Sequence, residues 1–306
     1  MTSLTDPQFT DEDAARSYLE GIRWPSGPVC PHCGTVNAAY ATKRPGKYRC
    51  ASKGCRKDFT VKVGTLFESS HIPLHKWLLA AYLLAASKKG MSSHQLMRML
   101  GVTYKSAWFM THRLREAMRS GTFDTPMGGA GKIVEVDETF IGRKAGVAKA
   151  RGGYYHKMAV LTLVERGGRL MSFHIERPVV AEIAPIVKAN IDRESRLMTD
   201  EAKQYTKLGK LFAEHGFTRH SDGEYGRGDI HTNTVEGFYS IFKRGMIGIY
   251  QHCGEQHLHR YAAEFDFRYN HRSKLGFTDG RRADMLLAGI EGKRLTYRRT
   301  VGTRAN

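Results

Sequence analysis

The chain has 306 residues, 41% of them hydrophobic, with 48 Lys and Arg against 30 Asp and Glu and a formal net charge of +18. That length allows two or three domains with sizeable cores, and no apolar run reaches membrane-spanning length, so membrane-spanning and disordered classes are excluded. A basic excess this large points to a polyanionic partner, most often nucleic acid.

Residues 1–27 form an acidic N-terminal segment with no signal-peptide pattern, and Asp11 to Leu19 read as a short helix. Four of the five cysteines lie between residues 30 and 55. Cys30 and Cys33 are two residues apart, Cys50 and Cys55 four apart, and sixteen residues separate the pairs. Two such turns bring four thiolates into the tetrahedron that zinc favours, so residues 28–68 are expected to be a zinc ribbon and the compartment a reducing one. The ribbon is too small to fold without its metal.

Residues 69–121 read as helical. Leu74, Trp77, Leu78, Ala81, Tyr82 and Ala85 make an apolar stripe. A second helix from Ser92 to Leu100, a turn at Gly101 and a third helix from Tyr104 to Met118 follow the helix-turn-helix pattern. The third helix carries Lys105, Arg113 and Arg115 as candidate DNA contacts. Met97, Met99, Met110 and Met118 read as packing residues. Residues 121–131, rich in Gly, read as a linker.

From residue 132 the period becomes that of strands. Lys132 to Phe140 alternates, with Asp137 near its end, and Met158 to Val164 pairs with Leu170 to Ile175 as a hairpin. Between them runs a Gly-rich loop whose Arg143, Lys144, Lys149 and Arg151 suit a phosphate backbone. A helix over Val179 to Ile191, with Pro185 tolerable near its start or at a kink, precedes a short strand ending at Asp200. Residues 201–215 read as helix, Phe217 to Ser221 as a strand and 222–229 as a polar loop.

His231 to Arg244 is a helix with Thr232 or Asn233 at its cap, Glu236 in its first turn, and Val235, Phe238, Tyr239 and Phe242 on its apolar face. Glu236 and Lys243 leave one face, about 10 Å apart along the axis, while Arg244 sits about 100° around the helix. A last helix spans Gln256 to Tyr269, and residues 273–306 read as a basic tail. Cys253 with His252, His257 and His259 is assigned no metal, since isolated His and Cys near a helix are more often structural.

Three strands in hairpin order, then helix, strand, helix, strand, helix, resembles the ribonuclease H-like fold. Asp137, Asp200 and Glu236, the last two separated by thirty-five residues, resemble the D,D-35-E triad of DDE transposases and retroviral integrases. Val136-Asp137-Glu138-Thr139, Thr199-Asp200, and His231-x-Asn233-x-x-Glu236 with Lys243 and Arg244 resemble bacterial insertion-sequence transposases that carry an N-terminal zinc ribbon. The expected fold class is therefore multidomain: a zinc ribbon, an all-α helix-turn-helix domain, and an α/β ribonuclease H-like catalytic domain with a mixed sheet over residues 132–272.

The resemblance implies a DNA transposase that cleaves element ends hydrolytically and joins the 3′-hydroxyls to target DNA. Asp137, Asp200 and Glu236 would hold two magnesium or manganese ions, since hard oxygen ligands suit them. Lys243 would position the phosphate backbone, with Arg244 a further DNA contact. Glu138 and Glu201 are rival carboxylates that point away, because neighbours on a strand face opposite sides. The implied partners are double-stranded DNA, both terminal repeats and target, and a second copy of the chain in the synaptic complex. The implied location is the bacterial cytoplasm at the nucleoid, with no membrane. A ribonuclease H-like nuclease and a non-catalytic DNA-binding regulator are the alternatives, and the intact triad argues against the regulator.

Overall fold

The computed structural model describes residues 2–119, 125–149, 151–218, 223 and 226–296. The first residues of the expected linker, the end of the strand over Phe217 to Ser221, residues 222, 224 and 225 of the polar loop after it, and residues 297–306 of the basic tail lie outside the described residues. The chain divides into two compact units: Met1–Ser87, Met91–Met118 and Thr278–Asn306, and Lys88–Gly90 with Arg119–Phe277. Among the described residues no helix is long and apolar enough to cross a membrane.

In the first unit, helix α1 (Glu12–Arg23) starts where the Asp11 carboxylate accepts the Ala14 N–H, and it runs one turn beyond the expected Leu19. Strands β1 (Ala39–Ala41), β2 (Lys47–Cys50) and β3 (Asp58–Thr60) form a small antiparallel sheet. Its core is thin: Trp24, Tyr48 and Phe59 meet ring against ring at 5.7–5.8 Å. Helix α2 (Leu74–Ala86) is apolar on most sides and largely buried. Helix α3 (Ser93–Leu100) is capped by the Ser92 hydroxyl, which accepts the Gln95 N–H. It ends at Gly101, whose left-handed backbone (φ 59°) is a conformation other residues resist. Helix α4 (Tyr104–Met118) follows, as expected from the sequence.

The second unit is built on a mixed sheet of five strands. Its strands are β4 (Ile133–Ile141), β5 (Met158–Glu165), β6 (Leu170–Ile175), β7 (Arg196–Asp200) and β8 (Glu214–Thr218). The order is β6-β5-β4-β7-β8, with β4, β5 and β6 antiparallel and β4, β7 and β8 parallel. Helices α5 (Val180–Asn190), α6 (Lys203–Leu208), α7 (Asn233–Gly245) and α8 (Leu258–Asn270) cover it. Val134, Val136, Leu161 and Leu163 pack with Ile183, Val187, Tyr205 and Leu208 of α5 and α6. On the other face Ile141, Val160 and Leu170 pack with Val235, Phe238, Phe242, Leu258 and Phe265 of α7 and α8. Cover on both faces explains why β5 is apolar without alternation.

Three expectations change. Pro185 lies mid-helix in α5, where burial of Ile183 and Val187 against the sheet holds the helix through it. The helix expected over residues 201–215 is only α6 and one 3-10 turn, Gly209–Leu211, because Glu214 already pairs with Arg196 in the parallel ladder. Within the stretch read as a basic tail, Asp279–Ala288 is a helix, α9, that packs on α1, α2 and α4 of the first unit.

Candidate active site, cysteine cluster and basic residues

Three elements of the second unit bring acidic side chains together. Asp137 lies mid-way along β4 rather than near its end as expected, because the strand runs on to Ile141, while Asp200 ends β7 and Glu236 stands in the first turn of α7. Parallel pairing of β4 with β7 sets Asp200 beside the Asp137 strand. The Asp137 carboxyl is pushed up to about 8, first by burial and then by the negative fields of Glu138, Asp200 and Glu236. Glu138 is pushed up to about 7 by burial and by Asp200, against hydrogen bonds from Tyr205 and Gln204 that oppose the rise. Carboxyls in such mutual repulsion ionise together only when cations enter among them.

Each of the three expected carboxylates is steadied locally. One Asp137 oxygen accepts the Glu138 N–H at 2.8 Å, and Asp200 accepts the Ala202 N–H at 3.0 Å. Glu236 accepts the Thr232 hydroxyl at 2.7 Å. Among the described residues, the four cysteines are the one group of His, Cys, Asp and Glu whose ligand atoms all lie within 4.8 Å of one another.

Glu138 does face away from Asp137, as the strand period requires, yet it is not remote. It reaches the α6 side, where the Tyr205 hydroxyl donates to it at 2.7 Å; its charge is felt by Asp137, and it feels that of Asp200. The expected capping of α7 also differs. Thr232 sits at the N-cap, but its hydroxyl donates to Glu236 and makes no cap bond. The cap comes from Glu135 on β4, whose carboxylate accepts the N–H groups of Thr234 and Val235, both at 2.9 Å. Nothing local in the sequence signals a cap supplied from ninety-nine positions away; only the acid at an otherwise apolar strand position hints at it.

Lys243 is exposed in the last turn of α7. Arg244 folds back on its own helix, donating to the Ser240 carbonyl at 3.0 Å and to the Ser240 hydroxyl. In the loop after β4, Arg143, Lys149 and Arg151 are exposed. Lys144 instead donates to the Glu176 carbonyl at 2.8 Å and is largely covered.

In the first unit, Cys30, Cys33, Cys50 and Cys55 converge, with Cys30 and Cys55 sulfurs 3.7 Å apart and Cys33 and Cys50 sulfurs 3.6 Å apart. These are separations that a tetrahedral zinc thiolate centre spans, so the residues fit that metal. Hydrogen bonds from Thr35 hold the Cys33 thiol down to about 6, which favours the thiolate that binds metal.

Two expected DNA contacts are corrected. Arg115 is 1% exposed, on the same face of α4 as Ala107, Thr111, Leu114 and Met118, and cannot reach a phosphate. Arg113 is half-buried over the Phe109 ring at 4.4 Å and donates to the Leu295 and Glu68 carbonyls, so it ties segments of its own unit together. Lys105 stays exposed.

Residues 128–270 match the model of the ISXO2-like transposase domain, and residues 10–58 match that of a transposase zinc-ribbon domain. A protein described as an uncharacterized protein in transposable element ISH50, from Halobacterium salinarum, is 30% identical over 262 residues, covering 78% of this chain and 84% of its own. The chain belongs to the ISXO2-like transposase family. The matched transposase domain contains Asp137, Asp200, Glu236 and Lys243, and the matched ribbon contains all four clustered cysteines. A simian T-cell lymphotropic virus intasome, solved with the PP2A regulatory subunit B56 gamma, is similar at 12% identity and a TM-score of 0.32, covering 63% of this chain and 68% of that one. That score is too low to establish a shared fold.

Proposed function

We propose that this transposase-family chain is a DDE enzyme with a ribonuclease H-like catalytic unit. It cleaves the strand at each end of its element by hydrolysis and joins the freed 3′-hydroxyl to target DNA. The observation that carries the reading is the Asp137 carboxyl, pushed up to about 8 by burial first and then by the charges of Glu138, Asp200 and Glu236 gathered around it. A protein keeps acids in such a costly arrangement where cations complete it.

Hard carboxylate oxygens suit magnesium or manganese. When bound, such ions activate an attacking hydroxyl and stabilise the departing oxygen of a phosphodiester. Asp137, central in the sheet, would serve both ions, Asp200 one and Glu236 the other. Lys243, exposed on the α7 face that carries Glu236, holds the phosphate backbone beside the scissile bond as a point charge. Arg143, Lys149 and Arg151 guide the flanking duplex.

The ribbon, with a structural zinc on Cys30, Cys33, Cys50 and Cys55, and the α3–α4 hairpin bind the terminal repeats, Lys105 lying on an exposed face of α4. Bringing two ends together requires at least two copies of the chain. The compartment that suits both a thiolate cluster and a DNA substrate is the cytoplasm, at the nucleoid.

The test substitutes Asp137→Asn, Asp200→Asn and Glu236→Gln singly. Each should bind element ends as the parent does and lose cleavage in magnesium by about a thousandfold or more, an order taken from removal of groups that act as a unit. Near-parental cleavage by any one removes that residue from the site, and parental cleavage by all three removes the proposal.

A further inference from the structure

Two residues before Asp137 on the same face of β4 stands Glu135, whose side chain is 0% exposed. An ionised carboxylate so buried survives only if every lone pair is used. One oxygen accepts the Thr234 and Val235 N–H groups at the start of α7. The other accepts the Thr234 hydroxyl at 2.8 Å and the Arg166 Nε–H at 2.6 Å. Arg166 then donates to the Asp229 carbonyl at 2.7 Å and to the His231 carbonyl at 2.8 Å, so the approach to α7 is held by the same pair. Its Nη2 also meets His231 Nδ1 at 2.9 Å, and the Asn233 N–H points to that nitrogen as well. Both neighbours are donors, so Nδ1 is the acceptor nitrogen of His231.

A second tie lies on the other side of Asp137. The Tyr239 hydroxyl, one turn after Glu236 on α7, donates to the Asp137 carbonyl at 2.5 Å. Strand and helix are thus pinned on both sides of the two acids they carry.

We infer that Glu135, locked by Arg166, is a positioning residue that fixes α7 on β4 and so sets the separation of Glu236 from Asp137 to the span a metal pair needs. The inference rests on the active-site reading above and adds to it a residue that touches neither metal nor DNA. A negative charge at a helix N-terminus also strengthens the hold, because the helix dipole and the unpaired N–H groups there both favour it. Asp137 and Glu236 come from elements 99 residues apart in sequence, and no covalent or local constraint sets their spacing. The carboxylate of Glu135, together with the Tyr239 hydroxyl, supplies that constraint.

The test uses the full chain and two readouts: loss of the free manganese signal in electron paramagnetic resonance, and cleavage of element ends across a magnesium series. Glu135→Gln keeps the shape but loses the charge and presents N–H groups to N–H groups. It should bind DNA like the parent and need about tenfold or more metal for half-saturation in both readouts, the usual cost of removing a partner of a metal ligand. Its cleavage should recover at saturating metal, which a loss of folded protein would not permit. Thr234→Val removes one donor to Glu135 and should shift half-saturation the same way by less. Unchanged half-saturation in Glu135→Gln overturns the inference. Where Glu135→Gln does not fold, unchanged half-saturation in Thr234→Val overturns it instead. Asp137→Asn separates the two claims. Parental cleavage by that variant removes Asp137 from the site, and with it the pair whose spacing is at issue, whereas an inactive Asp137→Asn beside Glu135→Gln with a parental metal response overturns the positioning role alone.

Discussion

Asp137 is the group expected to contribute most to the pH response of the second unit. Its ordinary carboxyl value is 3.8, and in the folded chain it is pushed up to about 8 by burial and by Glu138, Asp200 and Glu236. Between these values the folded chain binds the proton more tightly than the unfolded chain does, so stability is full below about pH 4 and is lost as pH rises toward about 8. Glu138 and Asp266, each pushed up to about 7 chiefly by burial, act in the same direction. Without added divalent cation, urea denaturation should therefore show the second unit less stable at about pH 8 than at about pH 5. Asp137→Asn should flatten that slope, and magnesium should restore the parent at the higher pH. An equal slope in Asp137→Asn would mean that Asp137 is not the group that titrates.

Residues are legible in the sequence where their chemistry is local. The four cysteines stand out by ligand spacing alone, and Asp137, Asp200 and Glu236 by their mutual spacing joined to a family resemblance. Glu135 and Arg166 do not stand out, because their meaning comes from the register of β4 against α7 and the β5–β6 turn. Arg115 misleads for a different reason. Its charge suggests solvent, yet four residues after Thr111 and eight after Ala107 it falls on the buried face of α4.

Helix α7 and the cysteine ribbon show how elements take their stability from outside themselves. The apolar stripe of α7, Val235, Phe238, Tyr239 and Phe242, is plain from its three- and four-residue steps and is buried as the period requires. Its cap is not plain, since a carboxylate on a strand does what a local Ser or Thr usually does. Helix α9 reads as tail because Arg281 and Arg282 outweigh a weaker signal. Thr278 accepts the Arg281 N–H as a cap, and Ala283, Leu286 and Leu287 form the buried stripe. Arg282 serves the helix packing by donating to the Ala85 carbonyl at the end of α2.

The ribbon strands are three or four residues long and meet around three rings, too little core for independence. Removing zinc with a chelator should unfold the ribbon and leave the second unit melting as before, because that unit has its own core on both faces of its sheet. Metal analysis that finds no zinc in the purified chain, with the Cys30, Cys33, Cys50 and Cys55 thiols reacting freely, would contradict the assignment.

At the scale of the whole molecule the charge of +18 and the acid cluster pull in opposite directions, and that opposition fits a DNA-processing enzyme. Basic side chains gather a polyanion, while acids near it are tolerated most readily where cations offset them. The mixed sheet is legible in its strand order because the hairpin and the parallel crossovers leave distinct spacings. The membership of α9 in the first unit is not, since a return of the chain to its beginning leaves no mark in local sequence.

The central claim is that this site both cuts and joins DNA by direct attack of a hydroxyl on phosphorus. The most direct measurement supplies the full chain with element ends already cut to a 3′-hydroxyl, a target duplex and magnesium, and follows the products under denaturing conditions. The expected products are end-to-target joined strands, with no covalent protein–DNA adduct and no joining by Asp137→Asn. A chain that cleaves intact ends yet never joins the pre-cut ones, or that carries DNA covalently bound to a side chain, would contradict it.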